Sequence, residues 1–221
     1  HLSQEGEDPV SDPGGPAEGL ADPPDLVDGA TRLRGVRPGD AEALFPFVHR
    51  APEITRWLCW DGPADLEELE RRYASWRRGE PGEPVLVLAI EEVPGGAVLG
   101  ELTLRFDGHP GVGDLGYWLG AEHHGKGHGG RAIGLALRLA FESCAARSVT
   151  ASVKEGNDAS LAVLERAGFV RDRAPGAVSI VDGDGPDGVA VHERAGPPIA
   201  WIASLTRRSW TRAQHGDAAA P

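Results

Sequence analysis

The feature that most constrains this chain is a cluster of glycines, at positions 125, 127, 129 and 130, within the segment His124–Gly130. The apolar run Leu115–Leu119 precedes this segment, and apolar residues at helical spacing follow it from Arg131. That order predicts a strand, a tight turn and the N-terminus of a helix. Glycines allow positive φ and leave backbone N–H groups uncovered, and the helix dipole attracts negative charge. The segment therefore predicts a turn that binds the diphosphate of a ligand.

Two common phosphate-binding motifs do not fit this turn. The triphosphate loop requires G-x-x-x-x-G-K-[ST], but here Lys126 lies between glycines and no Ser or Thr follows it. The dinucleotide motif G-x-G-x-x-G has a different glycine spacing and needs an acidic residue at the tip of the next strand. The next predicted strand begins at Ser148 and ends at Lys154. The spacing therefore disfavours nucleoside triphosphates and dinucleotides.

The segment His124–Gly129 resembles the Q/R-x-x-G-x-G/A acetyl-CoA motif of the GNAT acetyltransferase superfamily, with His124 where Gln or Arg is usual. A second segment, Asn157-Asp158-Ala159-Ser160 followed by a helical pattern that ends in Gly168-Phe169, is similar to the N-x-x-[A/S]…G-F segment of that family. The two motifs have the family's order and spacing.

The resemblance covers about residues 30–210 and is strongest over 112–169. Segments 98–104 and 201–210 are similar to the third and last strands of the RimJ/RimL-like branch, the ribosomal-protein-alanine acetyltransferases. The family implies an α/β (α+β) fold, with a mixed, mostly antiparallel central sheet and helices on both faces. Two strands of that sheet splay apart to form an acyl-CoA cleft.

The local patterns independently predict a mixed sheet, because a short hairpin link and a helical crossover occur in the same chain. Residues 174–196, rich in Gly, Asp and Pro, predict a long loop or irregular hairpin beside the acceptor. The predicted strands are 30–36, 85–90, 98–106, 112–119, 149–153 and 199–205, and the predicted helices are 38–48, bent at Pro46, 63–78 and 131–144.

The resemblance implies acetyl-CoA as the co-substrate, held in the gap between strands 112–119 and 148–153. Backbone groups of Trp118 and Leu119, left unpaired where the strands part, are expected to bond the pantetheine amides. Imidazoles that flank the bound anion, at positions 124 and 128, are expected to favour their charged form. The implied cofactor contacts are Trp118, Leu119, His124, Gly125, Lys126, Gly127, His128, Gly129, Gly130, Asn157 and Ser160.

Transfer of an acyl group from a thioester to an amine needs a proton for the departing thiolate. Many relatives supply it from a Tyr seven residues after the motif Asn, but that position here is Leu164. Ser160 resembles the serine that replaces this Tyr in the RimL-like branch, which makes it the candidate proton donor. The alternative is structural, with Asn157 as a helix N-cap and Ser160 as its third helical residue.

Attack also needs a neutral amine, and two strand carboxylates, Glu101 and Asp114, are candidates for the base. Each is alternatively an ordinary solvated residue, and no base is needed if the amine arrives neutral. A zinc site at His123, His124 and His128 is disfavoured, because the intervening glycines break the helix that would align them. The sequence therefore predicts no metal.

Composition predicts one domain with tails. Residues 1–29 contain eight carboxylates and no Lys or Arg, which leaves −4 of the formal charge of −12 for the rest of the chain. This acidic, Pro/Gly-rich tail and a C-terminal tail, 211–221, are expected to flank a GNAT domain at 30–210. The absence of a basic stripe disfavours nucleic acid, and no apolar run approaches the ~20 residues of a membrane span. Without a signal-peptide pattern, and with two cysteines, a cytoplasmic monomer or homodimer is expected.

The leading hypothesis is an acetyl-CoA-dependent N-acetyltransferase. Its amine acceptor is either a protein N-terminus or a small amine, such as an aminoglycoside-type antibiotic, a polyamine or an amino-acid derivative. Residues 57–76 and 174–196 are expected to form the acceptor pocket, where aromatic and acidic side chains would hold a cation. The alternative is a non-catalytic acyl-CoA-binding or regulatory domain, since the usual Tyr and Gln/Arg are replaced.

Overall fold

The computed structural model describes residues 23–78, 85–106, 111–173 and 199–214. Eight strands form one sheet in the order β1-β2-β3-β4-β5-β6-β8-β7. The strands are β1 (Leu26–Asp28), β2 (Thr31–Gly35), β3 (Val85–Glu92), β4 (Val98–Arg105), β5 (Val112–Leu119), β6 (Ser148–Lys154), β7 (Val170–Arg173) and β8 (Ile199–Thr206). The helices are α1 (Asp40–Val48), α2 (Pro52–Thr55), α3 (Leu66–Arg78), α4 (His128–Arg138), α5 (Asp158–Arg166) and α6 (Arg207–Gln214), and α4 continues into a π-helical turn, Leu139–Ser143.

The sheet opens between β5 and β6, which run parallel, whereas the other described strand pairs are antiparallel. Pairing between β5 and β6 stops at Asp114 and Thr150. On the outer sides, β5 stays paired with β4 as far as Leu119, and β6 stays paired with β8 as far as Lys154. The two strands therefore diverge toward their C-terminal ends, and we call the space between them the splayed gap. The predicted mixed sheet with splayed strands is confirmed.

Helices cover both faces of the sheet, as predicted. Alternate residues of each strand point to opposite faces, so Leu102 and Leu104 of β4 pack with α4 and α5, while Val87 and Ala89 of β3 pack with α1 to α3. The face of α4 and α5 contains the larger core, built on fully buried Ile133 and its neighbours. The amphipathic pattern of α4 and the alternation in the strands thus determine the two layers.

Several local elements differ from the sequence-based expectations. Three residues of the predicted N-terminal tail form β1, and α6 extends to Gln214 within the predicted C-terminal tail. Strand β7 was not predicted because its Val-Arg-Asp-Arg sequence is exposed and lacks apolar alternation. It is an edge strand whose Arg171 and Arg173 lie over the ring of Trp201 on β8. The predicted loop 174–196 and the remaining tail residues, 1–22 and 215–221, lie outside the described residues.

The two cysteines occupy different environments. Cys144 is buried in the core of the α4 face, and this burial raises the pKa of its thiol to about 11. Cys59 is exposed. In the part of the chain that the structure describes, none of the helices is both long and apolar enough to cross a membrane.

Candidate active site

The glycine turn lies where β5 leads into α4, and its backbone is open. Gly125 and Gly127 have φ of 75° and 84°, in the left-handed region that favours glycine. Apart from its chain neighbours, no described atom lies within 4 Å of the position of a Cβ on Gly125. No side chain caps the N-terminus of α4, and its first turn contains no acidic residue. The first N–H groups of α4, which have no partner within the helix, are therefore available to an anion.

Positive charge flanks the turn. Lys126 is exposed within it, and Arg131 follows one helical turn later. A guanidinium N–H of Arg131 donates to the backbone oxygen of Lys126 at 3.3 Å, which holds this cation beside the turn. Two cations next to unpaired N–H groups make the site electrostatically suited to a diphosphate.

The other two glycines allow the turn to pack closely on its neighbours. A Cβ added at Gly129 would lie 3.5 Å from Cε2 of Tyr117 on β5. One added at Gly130 would lie 4.0 Å from Cγ1 of Val163 on α5. The structure therefore brings the glycine turn, the splayed half of β5 and the helix α5 together.

The hydrogen-bonding pattern of β5 shows which backbone groups point into the splayed gap. The N–H of Gly120 donates to the oxygen of Leu99 at 2.9 Å, so this residue pair is a hydrogen-bonded pair across β4 and the end of β5. Such pairs alternate along an antiparallel ladder, so the backbone of Trp118 also faces β4, opposite Glu101. The prediction that Trp118 offers free backbone groups is therefore wrong. The backbone N–H and C=O of Tyr117 point toward the gap instead.

Leu119 has its backbone N–H and C=O on the same side of β5 as those of Tyr117. Its backbone oxygen is 3.0 Å from Nε2 of His124, which donates to it in one tautomer. This contact of His124 stabilises the turn immediately after the strand. The N–H of Leu119 is the group of this residue that remains directed at the gap.

His128 does not flank the turn with its side chain. Its Nδ1 is 2.9 Å from the hydroxyl of Thr31 on β2, and the residue is only 4% exposed. Burial lowers the pKa of the imidazole, only partly countered by the carboxylate of Glu92, so the ring favours its neutral form in this environment. The side chain therefore packs inward from the first residue of α4, away from the position beside the anion that was expected for it.

The start of α5 joins the two motif residues. Asn157 is the N-cap, and its Oδ1 accepts a hydrogen bond from the backbone N–H of Ser160 at 3.3 Å. The structural role considered for this pair is therefore present. In addition, the hydroxyl of Tyr117 donates to Oγ of Ser160 at 3.2 Å, across the gap. Leu164 is buried in the core, so no phenol reaches this region from that position of α5.

Sequence analysis missed Tyr117 as a site residue. Its position between Leu115 and Leu119, which share its face of β5, was the available signal that it points toward α4 and α5. Burial raises the pKa of its phenol, although the hydrogen bond to Ser160 opposes this effect. The phenol therefore stays protonated and remains a donor at neutral pH.

Glu101 lies on the opposite face of the sheet, buried at 5% exposure. The hydroxyl of Tyr73 on α3 donates to its Oε2 at 2.6 Å. Burial raises the pKa of this carboxyl, against the lowering effects of Tyr73, the charge of Arg72 and the nearby indole of Trp118. The indole Nε1 is itself buried without a hydrogen-bond partner among the described atoms. Glu101 is therefore a protonatable group on β4, opposite Trp118 of β5.

Asp114 lies elsewhere. It is exposed, in the half of β5 that still pairs with β6, and the hydroxyl of Thr150 is 3.3 Å from its Oδ1. Four residues of strand, about 13 Å, separate it from Trp118. The structure does not bring Asp114 together with Glu101 and Ser160.

The connection between α2 and α3 lies against the C-terminal end of β6. The ammonium of Lys154, the last residue of β6, donates to the backbone oxygen of Arg56 at 3.0 Å. A Cβ added at Gly156 would lie 3.8 Å from the ring of Trp57. This connection therefore forms a wall beside Asn157, within the segment 57–76 that was expected to bind the acceptor.

Arginines of the chain itself lie over the tryptophans of this wall and of α3. The guanidinium of Arg56 lies 4.3 Å from the ring centroid of Trp57. That of Arg72 lies 4.5 Å from Trp60 and 4.7 Å from Trp76. The aromatic surfaces expected to hold a substrate cation thus already contact internal cations. Among the residues that the structure describes, no group of three or more His, Cys, Asp or Glu could hold a metal ion.

An open glycine turn beside a pair of diverging strands is the arrangement that the resemblance implied for an acetyl-CoA-binding domain. The chain belongs to the GNAT acetyltransferase family, since the family model of the acetyltransferase (GNAT) domain matches residues 31–170. The protein YkkB of Bacillus subtilis is 26% identical over 148 residues, which cover 65% of this chain and 84% of YkkB.

Solved structures share the fold. RimJ of Mycobacterium smegmatis, in complex with CoA-disulfide, aligns with a TM-score of 0.62 at 21% identity, over 88% of this chain and 94% of its own. The spermidine N-acetyltransferase of Vibrio cholerae, in complex with CoA and spermine, aligns with a TM-score of 0.64 at 16% identity, over 84% and 99%.

Proposed function

We propose that this protein transfers an acetyl group from acetyl-CoA to a primary amine by direct attack. The observation that carries the proposal is the splayed gap, with the open glycine turn and Ser160 on one face of the sheet and, on the other face, the buried Glu101 of the neighbouring strand β4. One face thus offers groups that can bind the coenzyme, and the other offers a carboxylate that can accept a proton from the amine. The family to which the chain belongs supports the same reaction.

In this proposal the coenzyme enters from the face of α4 and α5. Its diphosphate binds the first N–H groups of α4 and the cations of Lys126 and Arg131. The pantetheine arm lies along β5, where the backbone N–H and C=O of Tyr117 provide one donor and one acceptor. This path directs the thioester toward Ser160.

The amine enters from the other face, past the wall formed by Arg56 and Trp57. Glu101 takes a proton from the ammonium, directly or through water, and the neutral nitrogen attacks the carbonyl carbon. The new C–N bond forms as the C–S bond breaks, and the electron pair leaves with sulfur. Ser160 donates a hydrogen bond to the departing thiolate. The nitrogen of the new amide releases its remaining extra proton to solvent, and the thiolate takes a proton from solvent.

Replacing Ser160 with Ala tests the leaving-group role. We expect Ser160→Ala to lower kcat about 100-fold, because the thiolate loses its donor, and to leave CoA affinity within about twofold. Steady-state kinetics with acetyl-CoA and isothermal titration with CoA measure the two quantities. The backbone N–H at position 160 keeps its bond to Asn157 in the variant, so α5 stays capped. Turnover at the wild-type rate would remove Ser160 from the mechanism.

A second candidate is a non-catalytic acyl-CoA-binding or regulatory domain, favoured by the apolar burial of Leu164 where relatives carry a Tyr. Release of free CoA thiol in the presence of a panel of amines separates the two functions. The panel should contain peptides with free N-termini, polyamines, aminoglycosides and amino-acid derivatives. Thiol release with any of them supports the enzyme, whereas tight CoA binding with no release from the whole panel supports the binding domain.

A further inference from the structure

Tyr117 connects the glycine turn to the start of α5. Its ring packs beside Gly129, where an added Cβ would lie 3.5 Å from Cε2, and its hydroxyl reaches Oγ of Ser160 at 3.2 Å. The position of Ser160 is also fixed from its other side, because its backbone N–H bonds to Asn157. The serine is thus held by two groups that come from different elements.

The direction of the hydroxyl–hydroxyl bond matters for the chemistry. A serine hydroxyl has one proton and two lone pairs. When Oγ of Ser160 accepts from the phenol of Tyr117, its own proton is free to point at a third group. The phenol is the stronger acid of the two, so it takes the donor role. Burial raises the pKa of this phenol and keeps it protonated, although the positive charge of Arg166 on α5 opposes the shift.

We propose that Tyr117 is a positioning residue that orients the Ser160 hydroxyl as a hydrogen-bond donor to the sulfur of CoA. This inference rests on the proposed function, since it concerns the leaving group of that reaction. Tyr117 itself does not touch the sulfur in this scheme, and no proton leaves its phenol. The thiolate finally takes its proton from solvent, and the Ser160 hydroxyl keeps its own.

The test uses Tyr117→Phe, which keeps the ring beside Gly129 and removes only the hydroxyl. We expect kcat with acetyl-CoA to fall about tenfold, the effect of one hydrogen bond, with CoA affinity unchanged. The double variant Tyr117→Phe/Ser160→Ala should be no slower than Ser160→Ala alone, because Tyr117 acts through Ser160. If the loss of kcat in the double variant equals the product of the two single losses, the proposal is overturned.

Two further measurements respond to Tyr117→Phe only if Tyr117 acts on the sulfur of CoA. With acetyl-seleno-CoA, whose selenolate leaves without help, the rate of Tyr117→Phe should approach that of the wild-type protein. In CoA labelled with ¹³C next to sulfur, the labelled carbon reports the pKa of the bound thiol. This pKa should be higher in both Tyr117→Phe and Ser160→Ala than in the wild-type protein. An undiminished defect with the selenoester, or an unchanged thiol titration, would overturn the role of Tyr117.

The thiol titration needs binding but no turnover, so it separates this inference from the proposed function. A wild-type protein that binds CoA, shifts its thiol and acetylates no amine would contradict the proposed enzyme and still support the contact between Ser160 and sulfur. A wild-type protein that fails to bind CoA would overturn both. Normal turnover and a normal thiol titration in Tyr117→Phe would overturn this inference alone.

Discussion

Gly127→Trp is expected to reduce CoA affinity at least 100-fold while the domain stays folded. The indole would cover the first N–H groups of α4, because Gly127 is the residue immediately before the helix and a Cβ there already lies 2.8 Å from the guanidinium of Arg131. Loss of several backbone hydrogen bonds to a diphosphate accounts for an effect of this size. Isothermal titration with CoA measures it.

Gly39→Trp is the matched control. Gly39 also precedes a helix with positive φ, 93°, and its added Cβ meets no described atom within 4 Å beyond its chain neighbours. Both substitutions therefore carry the same backbone strain, about 1–2 kcal/mol in the left-handed region. Thermal unfolding should show similar losses of stability, and CoA binding should fail only in Gly127→Trp. Equal CoA affinities in the two variants would contradict the placement of the diphosphate at the turn.

Glu101→Gln is expected to lower kcat/KM about 100-fold at neutral pH, the usual contribution of a general base. The amide keeps an oxygen that can accept from Tyr73 and has nearly the same size, so packing should persist. Because burial raises the pKa of Glu101, activity of the wild-type protein should rise with pH through that raised pKa. In Glu101→Gln, this rise of activity with pH should be absent. An equal loss in Asp114→Asn, with none in Glu101→Gln, would assign the base to Asp114 instead.

The same pKa shift has a consequence for stability. The carboxyl of Glu101 binds a proton more tightly in the folded protein than in the unfolded chain, so its protonation favours folding. That contribution is complete below the unfolded pKa of about 4.3 and is lost as pH rises through the folded value. Glu101→Gln should therefore be more stable than the wild-type protein at neutral pH and nearly equal to it at low pH, as chemical denaturation at both pH values can check.

The sequence was sufficient for the elements that carry a strong local signal. Glycine spacing identified the turn at 125–130, and the strand and helix on either side of it follow from apolar periodicity. The hairpin of β3 and β4 together with the crossover helix implied the mixed sheet. The cap formed by Asn157 was also expected, because an Asn before a helical pattern is a common N-cap.

Other parts of the site depend on information that local patterns do not contain. Whether Trp118 or Tyr117 directs its backbone into the gap is decided by the register with β4, and a shift of one residue reverses the answer. The contact of Tyr117 with Ser160 joins residues 43 positions apart. Similarly, the burial of Glu101 depends on Tyr73 of α3, which lies 28 positions earlier in the chain.

The divergence of β5 and β6 also has a kinetic meaning. Because the opening passes between β5 and β6, the proposed reaction gives the coenzyme and the amine separate entrances. We therefore expect a sequential mechanism through a ternary complex, in which initial-velocity plots intersect. The proposal contains no acetylated intermediate of the protein.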